Sequence, residues 1–262
     1  MTTSKAQQQF SPNAERYARA AYFSMNAALA EMIEVMQPAP HWRMLDVATG
    51  GGHTAFAFAP AVQRVIAADV TPAMLRAASI VAQERSLHNI AFEAADAETL
   101  PHDDAVFDAV TCRVAAHHFS DAGEGVRQMA RVTKAGGQVG LIDPVVPYER
   151  AAADEINAWE MLRDPSHVAC LTVNGWASLF CAANLDAVHI NTFEVEVDFD
   201  DLMSRAGRDV ATTDALRRRL LHGSPAMREF FKPQSRGSRL TFTWPQVLIV
   251  GRKGAACHRI GS

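Results

Sequence analysis

Apolar and polar positions along the chain follow two periods, and the periods predict its elements. Between Tyr17 and Met36, apolar residues recur at helical spacing behind Ser11-Pro12-Asn13, a helix-start signal. One helix is expected from there to about Met36, with the polar stretch Met1 to Gln9 disordered ahead of it. Gln37-Pro38-Ala39-Pro40 ends that helix. Short apolar runs then alternate with helical stretches. Strands are expected at Arg43 to Ala48, Arg64 to Ala68, Asn89 to Ala94, Phe107 to Cys112 and Gly137 to Ile142. Helices are expected at His53 to Pro60, at Pro72 to Arg85 with proline in the first turn, and at Ala122 to Val132.

Such alternation with short connections implies an α/β fold, a doubly wound and mostly parallel sheet covered by helices on both faces. Past the fifth strand the alternation loosens. A helix from Arg150 to Leu162, a turn at Asp164-Pro165-Ser166 and an amphipathic helix from Asn174 to Asn184 precede two long strands, Leu185 to Val197 and Leu240 to Gly251. Asp198 to Arg239, between those strands, reads as mostly helical, and Arg217-Arg218-Arg219 as a solvated face. The chain therefore divides into an N-terminal helical segment, 1–36, with a lid role in view, and one domain, 37–262, carrying helical insertions at about 144–171 and 198–239.

Composition narrows the function classes. A net charge of −4 gives no general attraction to nucleic acid or anionic lipid. The four cysteines form no C-x-x-C pair, so neither a zinc site nor a disulfide framework is suggested, and no metal is expected. No apolar run reaches the length of a membrane span. A cytoplasmic protein acting on a small molecule is expected, with a homodimer left open as its assembly.

Candidate chemistry lies at the strand ends, where sheets of this type bind ligands. The first strand runs through Asp46 into Gly50-Gly51-Gly52, whose backbone can approach a ligand closely. Asp69 closes the second strand 19 residues after Gly50, the separation at which a carboxylate meets a ribose diol. Asp96 follows the third strand and Arg113 the fourth. The loop also satisfies a dinucleotide fingerprint, which keeps a nicotinamide-dependent oxidoreductase as the alternative. The Asp46 carboxylate argues against a pyrophosphate there and for a cofactor carrying an ammonium and a sulfonium.

Leu45-Asp46-Val47-Ala48-Thr49-Gly50-Gly51-Gly52-His53, Ala68-Asp69-Val70-Thr71-Pro72, Ala95-Asp96-Ala97-Glu98 and Phe107 to Phe119 together resemble the ordered motifs of class I S-adenosylmethionine-dependent methyltransferases. Arg163-Asp164-Pro165-Ser166-His167-Val168 is similar to the ubiquinone/menaquinone-biosynthesis C-methyltransferase-like group. The resemblance implies a Rossmann-like fold of seven strands, with the two long late strands as an antiparallel edge. It also implies methyl transfer from S-adenosylmethionine, released as S-adenosylhomocysteine, to carbon or oxygen of a small acceptor. Asp46 and the loop of Ala48, Thr49, Gly50, Gly51 and Gly52 then hold the methionine end, and Asp69 the ribose. Val70, Met74, Asp96 and Ala97 surround the adenine, and Arg113 and Val114 offer backbone to the amino group. His118 occupies a position where the superfamily often has a histidine and is grouped with the cofactor residues. His117 and His167 are the candidate general bases, and Tyr17, His117 and Arg163 the candidate acceptor contacts. A non-catalytic member of the same fold is the remaining alternative.

Overall fold

Alternate residues of the central strands go to opposite cores, which is the period-2 rule of a sheet covered on both sides. In the computed structural model, which describes residues 4–20, 26–237 and 239–254, strand β1 (Arg43–Val47) sends Leu45 and Val47 to one core and Met44 to the other. Strands β2 (Arg64–Asp69), β3 (Ile90–Ala94), β4 (Phe107–Arg113) and β5 (Thr133–Pro144) join β1 in parallel. The long strands β6 (Leu185–Asp198) and β8 (Arg239–Lys253) add antiparallel, giving the order β3-β2-β1-β4-β5-β8-β6. A short β7 (Gln234–Arg236) pairs with the start of β8, so among the described residues the sheet has eight strands where seven were expected. The order reverses between β1 and β4, and a crevice opens there beyond the strand ends.

Helices α3 (Ala27–Met36) and α4 (His53–Phe58) cover one face, burying Leu29, Met32, Met36 and Phe58. The other face is covered by α6 (Ala122–Val132) and α8 (Val173–Ala182), through Met129, Trp176 and Phe180. Helix α5 (Pro72–Glu84) follows β2 and packs its Ala77, Ala78 and Val81 against the N-terminal segment.

The two insertions pack on each other. Helix α7 (Arg150–Arg163) from the first meets α10 (Val210–His222) and α11 (Pro225–Phe231) from the second and shares one core with α9 (Phe199–Ala206), over the near ends of β6 and β8. Trp159 sits at the centre, 5.4 Å from the Phe231 ring and 5.7 Å from Phe242, and donates its indole N–H to the Leu216 carbonyl. Arg217 pairs with Asp200 and lies over the Phe199 ring, while Arg218 and Arg219 are exposed.

The N-terminal segment departs from the sequence expectation. Lys5–Phe10 is a helix, α1, where disorder was expected; Ser4 and Gln7 close a reciprocal capping box at its start. A 3₁₀ turn leads to α2 (Ala14–Arg19), and the single helix expected as far as Met36 is broken. Ala20 is extended, and α3 starts afresh with the Asn26 side chain capping Leu29. Met1 to Thr3, residues 21–25, and the Cys257-His258 pair lie outside the described residues.

Candidate active site

The turn after β1 is left-handed at every second residue: Ala48 at φ +51°, Gly50 at +53° and Gly52 at +85°. Ala48 bears a strain of about 1 kcal/mol that glycine would not. Gly52 matters for packing, because a Cβ there would fall 2.4 Å from the Phe56 ring. Gly51 has ordinary φ, and its added Cβ would lie 2.7 Å from the Ala18 Cα of α2. Backbone cannot yield as a side chain can, so Gly51→Ala is expected to push α2 off the loop. Trypsin cleavage after Arg16 or Arg19 should then speed up at least tenfold with the circular dichroism unchanged; wild-type protection would show that α2 is not held at this contact.

Asp46 lies beside the turn, fully buried on the α3/α4 face. Its Oδ1 accepts from Thr111 Oγ1 (2.8 Å), its cross-strand neighbour on β4, and its Oδ2 from Thr49 Oγ1 (2.6 Å). Burial outweighs those bonds and pushes the carboxyl up to about 6. Asp69 ends β2 and is also buried. Its Oδ2 accepts the Gly50 N–H and its Oδ1 the Thr71 N–H, both at 2.8 Å, so it pins the turn to the start of α5. Burial raises this carboxyl too, against those two bonds. Asp96, past β3, is exposed and takes the Glu98 N–H.

On the β4 side, Arg113 donates from Nε to Thr54 Oγ1 (3.0 Å), and Val114 stands at φ +52°, rare for a β-branched residue. A 3₁₀ turn, Ala116–His118, then separates two adjacent histidines. His117 is buried, with Nδ1 3.0 Å from Asp143 Oδ1. Burial drives Asp143 up to about 8 and His117 down to about 3, so the contact is a neutral hydrogen bond and not an ion pair. His118 lies 5.2 Å from Phe10, ring to ring.

These elements enclose a cavity of about 310 Å³ beyond the ends of β1, β2 and β4. It is lined by Tyr17, Asp46, Ala48, Thr49, Gly50, Gly51, Asp69, Val70, Met74, Asp96, Ala97, Arg113, Val114 and His118, all singled out from the sequence. Four expected residues are not on it. Gly52 is turned to Phe56. His117 is tied to Asp143, and the buried His167 donates from Nε2 to Asn157 Oδ1 (2.9 Å), its imidazole driven down to about 2 by burial and then by the His117 ring. Arg163 is 4% exposed, bonded to Glu160 Oε2 (2.7 Å) and laid over Trp244. The structure therefore places His117, His167 and Arg163 in the buried framework behind the cavity and not on its lining.

Sequence reasoning missed part of the wall. Ser4, Lys5, Ala6 and Phe10 of the N-terminal segment line the cavity, as do Ser166 and Val168 from the turn after α7. The segment is held there by Gln7 Nε2 on the Val70 carbonyl (2.6 Å), Gln9 Nε2 on the Ala206 carbonyl (3.1 Å) and Arg16 on the Ser204 carbonyl (2.9 Å). The Ser4…Gln7 capping box was the one local signal that could have revealed it.

Cavity charge tests the two cofactor classes. Asp46, Asp69, Asp96 and Glu98 line it against Lys5 and Arg113, a balance that suits a ligand of net positive charge and opposes a pyrophosphate. The residues fit S-adenosylmethionine, and the nicotinamide alternative is not favoured.

Comparison with known proteins agrees. Residues 45–141 match a family described as a methyltransferase domain. The chain is 36% identical over 246 residues to the uncharacterised methyltransferase YcgJ of Bacillus subtilis, covering 93% of this chain and 97% of that protein. This chain belongs to the S-adenosylmethionine-dependent methyltransferase family. The crystal structure of YcgJ shares the methyltransferase's fold at a TM-score of 0.82 and 35% identity, covering 87% of this chain and 98% of that one. The BH2331 structure from Bacillus halodurans gives 0.83 at 30% identity, covering 88% and 100%. A demethylmenaquinone methyltransferase of Deinococcus radiodurans is 41% identical over 104 residues, 38% of this methyltransferase and 42% of that one. Among the described residues no helix is long and apolar enough to cross a membrane.

Proposed function

We propose that the chain methylates a small-molecule acceptor, at oxygen or carbon, inside the cavity between the glycine turn and the N-terminal segment. The observation that carries this reading is that one enclosed space has two unlike walls. One wall is the turn with its carboxylates; the other is Phe10, Tyr17, His118, Ser166 and Val168.

On the first wall, Asp69 would accept the ribose hydroxyls and Asp46 would face the methionine ammonium, with the Arg113 and Val114 backbone beside it. Ala48, Thr49, Gly50 and Gly51 would follow the methionine chain, Val70, Met74 and Ala97 would sandwich the adenine, and Asp96 would take its amino group. Gly52 would act by seating Phe56. When bound, the cofactor supplies an activated methyl group, so the chain's own task is to orient the acceptor and exclude water. Helices α1 and α2 would do the latter as a lid.

Calorimetry with S-adenosylhomocysteine tests the reading. Binding in the micromolar range is expected for the full-length chain and at least about tenfold weaker binding when residues 1–10 are removed. No binding by the full-length chain would sink the proposal; equal binding by both would remove the lid.

A further inference from the structure

The second wall contains a hydrogen-bonded chain that the buried framework residues do not share. Ser166 Oγ lies 2.6 Å from Asp164 Oδ1 and 3.2 Å from His118 Nδ1. A serine hydroxyl has one proton, and the shorter, charge-assisted bond to Asp164 takes it. Ser166 Oγ then accepts from His118 Nδ1–H, which fixes the imidazole tautomer and leaves Nε2 as a bare lone pair. Nε2 has no hydrogen-bond partner among the described residues, and both His118 and Ser166 line the cavity.

We propose that His118 is the catalytic base of this enzyme, with Ser166 and Asp164 as positioning residues, and that the acceptor presents a hydroxyl on an apolar body. The proposal rests on the methyltransferase reading of the same cavity. As the acceptor oxygen forms its bond to the methyl carbon, the sulfur–methyl bond breaks with its electron pair on sulfur. The O–H electron pair stays on oxygen, and the proton moves to His118 Nε2. The apolar body has Phe10 and Val168 to pack against.

The surroundings keep the His118 imidazole neutral, so its Nε2 lone pair is unprotonated near neutral pH. Burial first, and then the His117 ring at 4.1 Å, hold the His118 imidazole below its ordinary value. His167, 6.5 Å away, Arg163 and the neutral Asp143 also face it, and Asp164 is the nearby anion. Burial raises the Asp164 carboxyl, but the Arg163 guanidinium and the Ser166 hydrogen bonds outweigh it and keep Asp164 ionised. An ionised Asp164 is what holds the Ser166 proton and so sets the tautomer.

Two readouts test the assignment. Nitrogen-15 NMR of the cofactor-free protein at pH 7 should show His118 protonated at Nδ1 and bare at Nε2, with that preference lost in Ser166→Ala; a protonated Nε2 would overturn the proposal. Activity is read with S-adenosylmethionine and a series of substituted phenols as probes. His118→Gln should lower turnover about 100-fold on phenols that are neutral at the assay pH. On 4-nitrophenol, largely ionised above neutrality, it should stay within about fivefold of wild type, since no proton remains to be taken. Equal losses on both kinds of phenol would overturn the base role. S-Adenosylhomocysteine binding with no transfer to any hydroxyl probe would overturn the acceptor class alone, whereas absent binding would remove the underlying methyltransferase reading.

Discussion

Asp69→Ala should weaken S-adenosylhomocysteine binding by at least about 100-fold in calorimetry. Both Asp69 oxygens already accept one backbone N–H, from Thr71 and from Gly50, and each has a further lone pair. Because the side chain lines the cavity, those lone pairs are available to a ribose diol. Hydrogen bonds to a charged acceptor contribute about 1.5–3 kcal/mol each, and two of them give the stated factor or more. The variant also orphans two buried N–H groups, so a lower melting temperature is expected alongside. Asp96→Ala is the control: its carboxylate is exposed and bonded to the Glu98 N–H, and a loss of under about tenfold is expected. Wild-type affinity in Asp69→Ala would refute the ribose role.

Asp46 predicts opposite pH trends for stability and for affinity. Its carboxyl is raised from 3.8 to about 6 by burial. A raised value means that the folded state holds the proton more tightly than the unfolded chain. This contribution to stability is fully present below 3.8 and is lost as pH rises through about 6, on the order of 3 kcal/mol in all. A cationic ammonium prefers the ionised form, so cofactor affinity should rise over the same window, by about tenfold per pH unit below 6. Melting curves and calorimetry between pH 4.5 and 7.5 check both trends. Asp69 is raised in the same sense, so the difference between wild type and Asp46→Asn isolates Asp46. That variant should be more stable than wild type above pH 6 and should lose most of the pH dependence of affinity. An affinity flat with pH in the wild type would mean that Asp46 meets no cation.

The parallel sheet was legible because its signals are short-range. Strands β1 to β4 were read within two residues of their ends, and Asp46, Asp69 and Asp96 take their places from strand ends that the apolar runs define. The insertions were legible as helices, but their shared core was not. Trp159, Phe231 and Phe242 are brought together from three distant stretches, and no local period records that meeting.

The adjacent histidines show the limit most clearly. Consecutive residues of a 3₁₀ turn point about 120° apart. Sequence located His117-His118 beside the site, yet the direction of the turn decides that His118 lines the cavity while His117 faces Asp143. Gly51 is similar, since its place in the loop was readable and its close approach to Ala18 was not.

By itself the sequence determined the α/β order, the glycine turn after β1 and the row of carboxylates, all features carried by runs of a few residues. Tertiary structure alone decided that a helix as polar as Lys5–Phe10 is held over the cavity, because Gln7 and Phe10 find their partners at Val70 and His118, far along the chain. It also decided which histidine keeps a lone pair toward the ligand, because that depends on a proton shared among Asp164, Ser166 and His118.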